Sequence, residues 1–237
     1  MGKGTGDMGP VLYGRPFIEV DAALLDSDIL KDCYQKIVYI YLKALADDAG
    51  RCTPSMRILS GLTKINITRL QYTINGLVKM GLVEKEHRTY EDGGNRSNLY
   101  IVHDLSEISD TVDHLDGQNA LIRIYKDFFW NDQLDNCQQK LIYLCLSRSA
   151  YVRGGCCPSI KKLSGSTKLG ISKVRSTLGE LEQKGLVSKE KIKVANGCRN
   201  LYILSHDYVK DLGVVHDKGI GRYLEDYSIF GLDMVGM

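Results

Sequence analysis

The chain has 237 residues, 43% hydrophobic and 25% charged, with a formal net charge of +2. That is an ordinary globular composition, and the length suits two small domains. No run of eighteen apolar residues occurs, which argues against a hydrophobic membrane-spanning helix.

Residues 1–15 are rich in glycine and are expected to form a flexible N-terminus. They hold no apolar stretch of the kind a secretory signal needs. Seven cysteines, an odd number without a regular framework, add the expectation of free thiols in a reducing cytoplasm. Gly4-Thr5-Gly6-Asp7-Met8-Gly9 matches the dinucleotide fingerprint GxGxxG, but no strand precedes it and no βαβ unit surrounds it, so that reading fails.

A first domain is expected over 16–103. Ile18-Glu19-Val20 suits an edge strand of its sheet. In residues 33–46, CYQKIVYIYLKALA, one helical row carries Ile37, Tyr41 and Leu45, with Val38, Ile40 and Leu42 beside it, so this is a helix with a wide buried face. Asp47-Asp48-Ala49-Gly50 ends it, with Gly50 as the candidate cap. Thr53 as N-cap and Pro54 in the first helical position open a short second helix that runs to about Leu62. Asn66 caps a third helix, Ile67 to Met80, with Ile67, Leu70, Ile74, Leu77 and Val78 on its buried row. After Gly81, strands from Leu82 to Arg88 and from Asn98 to Val102 flank a turn at 91–95.

Residues 104–120 read as a linker. Asp104, Glu107, Asp110, Asp113 and Asp116 recur every three residues, with Leu105, Ile108, Val112 and Leu115 between them, as in an amphipathic helix with an acidic face.

A second domain, 121–206, repeats the first at an offset of 104 without a gap from Ile18/Ile122 to Glu86/Glu190. Pro54-Ser55 meets Pro158-Ser159, Leu59-Ser60-Gly61 meets Leu163-Ser164-Gly165, and GLVEKE at 81–86 meets GLVSKE at 185–190. The offset becomes 102 where Asn98-Leu99-Tyr100 meets Asn200-Leu201-Tyr202, a length change expected in a loop. Two such copies are a duplicated domain rather than a solenoid. The second copy predicts helices over 141–150, 158–166 and 171–184. Wing strands over 186–193 and 200–204 are joined by Asn196-Gly197, a favoured hairpin turn. Residues 207–237 form a tail whose Tyr223, Leu224, Tyr227, Ile229 and Phe230 suit packing on the second domain or on a partner.

Helix, short helix, tight turn, polar-faced helix and hairpin is the order of a helix-turn-helix with a wing. Both copies resemble the winged helix-turn-helix superfamily. The pattern PS…L…T…(I/L)…L…GLV followed by N-L-Y is similar to modules of bacterial plasmid, phage and conjugative-element proteins. The resemblance covers roughly 18–102 and 122–204. It implies an α+β, mainly α fold of two tandem winged helix-turn-helix domains, and a double-stranded DNA-binding protein. The role implied first is a transcription regulator or accessory DNA-binding factor of a plasmid or conjugative element, with a replication initiator as the alternative. A protein-interaction subunit of a chromosome-segregation complex is the alternative from another class.

Charge distribution agrees with a polyanion partner. Residues 159–204 hold ten Lys/Arg against three Glu, and 55–100 hold seven against four acids. The N-terminal half of a reading helix needs short polar or basic side chains and no acid. On the first third helix these are Thr68, Arg69, Gln71, Tyr72 and Asn75; on the second, Ser172, Lys173, Arg175 and Ser176. Arg69 and Arg175 are the candidates for bidentate contact with guanine, Gln71 and Asn75 for adenine. Lys64 and Lys168, in the turns, suit phosphate. Arg88, Arg96, Lys191, Lys193 and Arg199 lie in the wings. The two faces differ, so two unlike half-sites are expected. The acidic linker face is a candidate to dock on a basic reading surface when DNA is absent. No metal-ligand spacing, cofactor motif or acid–base constellation was found, so no enzyme activity, metal or cofactor is expected.

Overall fold

The structure is a computed structural model and describes residues 15–21, 23–26, 28–105, 121–150, 155–194, 197–206 and 209–211. An arm comes first: strand β1 (Phe17–Asp21) and the one-turn helix α1 (Ala23–Asp26). Helix α2 (Cys33–Leu45) follows, with the Asp32 side chain accepting from Gln35 N at its N-terminus. A two-residue strand β2 (Arg51–Cys52) leads to α3 (Met56–Thr63) and α4 (Ile67–Lys79). The hairpin β3 (Val83–Thr89) and β4 (Asn95–Val102) closes the first module, with sheet order β2-β4-β3. The second module repeats this as β5 (Leu121–Tyr125), α5 (Lys126–Phe129), α6 (Cys137–Arg148), β6 (Gly155–Cys156), α7 (Ile160–Thr167), α8 (Ile171–Gln183), β7 (Val187–Val194) and β8 (Gly197–Leu204). Its sheet order is β6-β8-β7. A last strand, β9 (Val209–Asp211), falls in the stretch read as tail.

The first module's strand does not border its own wing, as the sequence suggested. β1 pairs antiparallel with β5, and β9 adds to the other edge of β5. The register runs Phe17↔Tyr125, Glu19↔Arg123 and Asp21↔Leu121. Phe17 corresponds to Leu121 and Asp21 to Tyr125 in the duplication, so exchanging the two copies leaves the register unchanged. Only a twofold relation does that. Its axis passes between Glu19 and Arg123, whose guanidinium donates to the carboxylate at 2.7 Å.

Other contacts obey the same symmetry. Gln138 donates to the hydroxyl of Tyr34, its own equivalent, at 3.4 Å. Cys33 and Cys137, also equivalents, share a hydrogen bond, and that bond together with burial keeps the Cys137 thiol protonated well above the ordinary range. Lys64 pairs with Asp132 at 2.9 Å, and its equivalent Lys168 pairs with Asp28, the equivalent of Asp132. Each arm thus reaches over to the opposite module. Asp26 also pairs with Arg148 and accepts from Ser166, while Phe129 packs edge-on against Tyr41, centroids 5.1 Å apart.

The apolar side chains form one continuous core across both modules. Leu24, Leu30, Ile37, Ile40, Phe128, Leu134, Leu141 and Leu144 are all fully buried in it. Helices α2 and α6 pack on each other at its centre. The equivalent lysines Lys36 and Lys140 are buried with them. Lys36 Nζ donates to the carbonyls of Leu25 and Ser166, and Lys140 Nζ to the Tyr41 hydroxyl at 2.9 Å.

Several local readings need correction. The N-cap of α3 is Ser55, which accepts from Ile58 N at 3.2 Å, and not Thr53; Pro54 lies before the helix. Ser159 does the same for α7. A proline still precedes each helix, but the serine one residue later has the hydroxyl in reach of the free N–H. α2 ends at Ala46, while Gly50 (φ +72°) makes the turn into β2, where an added Cβ would lie 2.9 Å from Val102 O. Cys52 and Cys156, each just before the second helix of its module, are buried, and burial pushes both thiols up to about 12. The acidic residues from Glu107 to Asp116, Asn196, the glycines of the N-terminus and the apolar tail residues lie outside the described residues. Asp104 is described, and it pairs with Lys43 of α2 at 2.6 Å.

Candidate nucleic-acid interface

Helix α4 starts where the sequence places it. Asn66 is in extended conformation and its side chain accepts from Arg69 N at 2.8 Å, which satisfies one of the helix's free N–H groups. Helix α8 begins at Gly170 without a side-chain cap. Before each helix the tight turn is set by a lysine in left-handed conformation, Lys64 and Lys168, both at φ 56°. A non-glycine residue there is strained. Ser60 and Ser164 brace the turns by donating to the carbonyls of Ile65 and Leu169, both at 2.6 Å.

Leu70, Thr73, Ile74 and Leu77 fix α4 in its module, and Val174, Thr177, Leu178 and Leu181 fix α8. The buried rows leave the opposite faces in solvent. On α4 the exposed residues are Thr68, Gln71, Asn75 and Tyr72, the last 72% exposed. On α8 they are Ser172, Lys173, Arg175 and Ser176. Neither first half carries an acid; Glu180 and Glu182 come later on α8. Lys173 comes within 3.9 Å of Glu180, whereas Arg175 has no ion pair among the described residues.

The two arginines singled out in the sequence differ sharply in placement. Arg175 projects into solvent. Arg69 is half-buried: it donates to Asp32 at 3.2 Å, and its guanidinium lies 4.3 Å from the Tyr34 ring centroid and 5.5 Å from that of Tyr72. Its Nε is buried without a hydrogen-bond partner. The turn lysines are also engaged, since Lys64 and Lys168 hold Asp132 and Asp28 of the opposite arms. Those lysines hold both carboxyls below the usual carboxylate range. Asp32, Tyr34, Asp28 and Asp132 were not found from sequence, because each acts on a residue far along the chain.

In the first wing Arg88 and Arg96 sit directly opposite each other, and Arg96 stacks 5.5 Å from the centroid of Tyr90. Like charges in register destabilise a hairpin unless an anion lies between them. In the second wing Lys189, Lys191 and Lys193 share one face by strand alternation, all exposed. Arg199 lies opposite Ile192, hence on the other face. The predicted wing residues are therefore not one surface.

Among the described residues no group of three His, Cys, Asp or Glu could hold a metal ion, and no helix is long and apolar enough to cross a membrane. No curated protein matches the chain. A family model described as a helix-turn-helix domain matches residues 34–83 and again 137–187. These are the α2–α4 and α6–α8 segments, and domains of this kind point to DNA as the partner. The chain carries two tandem helix-turn-helix domains in an α+β fold.

Proposed function

We propose that the chain is a double-stranded DNA-binding protein that inserts α4 and α8 into the major groove. Within that class it acts as a transcription regulator or accessory DNA-binding factor of a plasmid or conjugative element, the setting in which modules with this residue pattern are found. One observation carries the reading: both third helices turn to solvent a polar face whose N-terminal half is free of acids, at equivalent positions of two fused modules. The basic face of the second wing adds phosphate contacts that carry affinity without sequence information.

The test is fluorescence anisotropy of a labelled random-sequence duplex titrated with the full chain at several salt concentrations. Binding should weaken linearly on a log–log plot, with a slope near −0.9 for each phosphate neutralised. Substituting Lys189, Lys191 and Lys193 by Ala should make that slope shallower by about two to three. Absence of binding at low salt would refute the function.

A further inference from the structure

The symmetry of the fold and the unequal fates of Arg69 and Arg175 together specify what kind of DNA site would be read. This inference rests on the DNA-binding reading above. We propose that the chain recognises an inverted pair of unlike half-sites on one duplex, α8 over a half anchored by a G·C pair and α4 over a half anchored by an A·T pair.

The inversion follows from the axis. A contact between a residue and its own duplicate can occur only across a twofold, and three such contacts are present: Glu19 with Arg123, Tyr34 with Gln138 and Cys33 with Cys137. The crossed ion pairs Lys64–Asp132 and Lys168–Asp28 tie the turn before each reading helix to the same axis. Arg69 of α4 rests on Tyr34, one residue from that axis. Reading helices related by a twofold meet the two strands of a duplex in opposite sense, so their half-sites are inverted, about 10 base pairs or a multiple apart. A direct repeat would require a translation, which the register of β1 on β5 rules out.

Base preference follows from the side chains left free. On α8 the exposed guanidinium of Arg175 can donate two parallel hydrogen bonds to guanine O6 and N7. Its equivalent on α4 is Gln71, whose amide matches adenine N6 and N7, as does Asn75 one turn on. Arg69 would be the guanine reader of α4, but Asp32 and Tyr34 hold it inward. Arg69 is therefore a positioning residue that ties α4 to α2, with Tyr72 stacked beside it at the surface.

A library of duplexes randomised over roughly three helical turns, about 30 base pairs, would be bound by the full chain and the retained fraction sequenced. The expected motif has two unlike elements in opposite orientation, one centred on G·C and one on A·T. Arg175→Ala should erase the G·C element and lower affinity for the selected site roughly tenfold or more. Gln71→Ala with Asn75→Ala should erase the A·T element alone. Arg69→Ala should lower affinity for the selected site by loosening α4, without removing the G·C element. Elements in the same orientation, or loss of a G·C element with Arg69→Ala, would overturn the inference while leaving DNA binding intact. A bound fraction without any motif would overturn it too, and would reduce the function to nonspecific binding. No bound fraction would overturn both.

Discussion

Lys36 lies in the shared core with none of its surface exposed. Burial lowers its pKa from the ordinary 10.5 to about 8. Lys168 adds to the lowering, while Cys145, Asp26 and Asp28 oppose it. The folded-state value is depressed, so between pH 8 and 10.5 the unfolded chain binds more protons than the folded one. The penalty for holding this lysine is therefore fully present below pH 8 and is relieved as pH rises to 10.5. A drop of that size corresponds to about 3 kcal/mol. Lys36→Met keeps the length of the side chain and removes the charge. The readout is the stability difference between wild type and Lys36→Met, each carrying Cys145→Ala, from urea unfolding followed by the single tryptophan, Trp130. The wild type should gain on the variant by about 3 kcal/mol between pH 7 and pH 10.5. The thiols of Cys52 and Cys156, raised to about 12, pull absolute stability the other way above their ordinary range, but they are common to both proteins and cancel. A difference that stays constant with pH would refute the reasoning, and so would one that moves in favour of the variant.

Three further outcomes follow from the geometry. Leu144→Ala, at a fully buried position of the shared core, should cost about 3 kcal/mol and lower the midpoint of one transition for the whole chain; two separate calorimetric transitions would contradict a common core. Gly50→Ala should destabilise by about 1–3 kcal/mol in urea unfolding, because it forces a side chain to φ +72° with its Cβ 2.9 Å from Val102 O. Gly170→Asn should stabilise by a few tenths of a kcal/mol, since α8 begins at an extended residue with no side-chain cap and open space around the new Cβ; an unchanged or lower denaturation midpoint would count against it.

What could be read from sequence was whatever depends on near neighbours. The 3.6-residue row of α2, the Leu70, Ile74 and Leu77 row of α4, the cap at Asn66 and the stops at Gly81 and Gly185 are local, and each was legible, whereas Ile67 and Val78, expected on the same row, lie at its edges and are exposed. Strand β1 was legible as an extended segment from its alternation, but alternation does not name a partner, and that partner lies 104 residues on. The exposed faces of α4 and α8 follow from helical period alone. Arg69 looked like a reading residue because helical position cannot reveal that Asp32, 37 residues away, would take its guanidinium. Lys36 and Lys140 were invisible for another reason. A lysine in an apolar helix reads as a boundary residue, and only the packing of the two modules on each other brings the Ser166 carbonyl to Lys36 and the Tyr41 hydroxyl to Lys140.

The axis itself explains what joining two copies in one chain makes possible. In a dimer of identical subunits, a residue on the twofold meets itself. Position 19 would then oppose Glu to Glu, or Arg to Arg in the other copy, and like charges directly across an antiparallel pair destabilise it. With both copies in one chain, the two members of an axial pair can differ. Glu19 faces Arg123, and Tyr34 accepts from Gln138, so each copy complements the other better than it would complement itself. Cys33 with Cys137 has stayed identical, which a weakly polar thiol pair tolerates. The same freedom extends to the reading helices. Gln71 need not match Arg175, nor Tyr72 match Ser176, because no second chain has to present an identical face. Within the fold the twofold constrains the arms, the central helices and the turn lysines, and it leaves the solvent faces of α4 and α8 free to diverge.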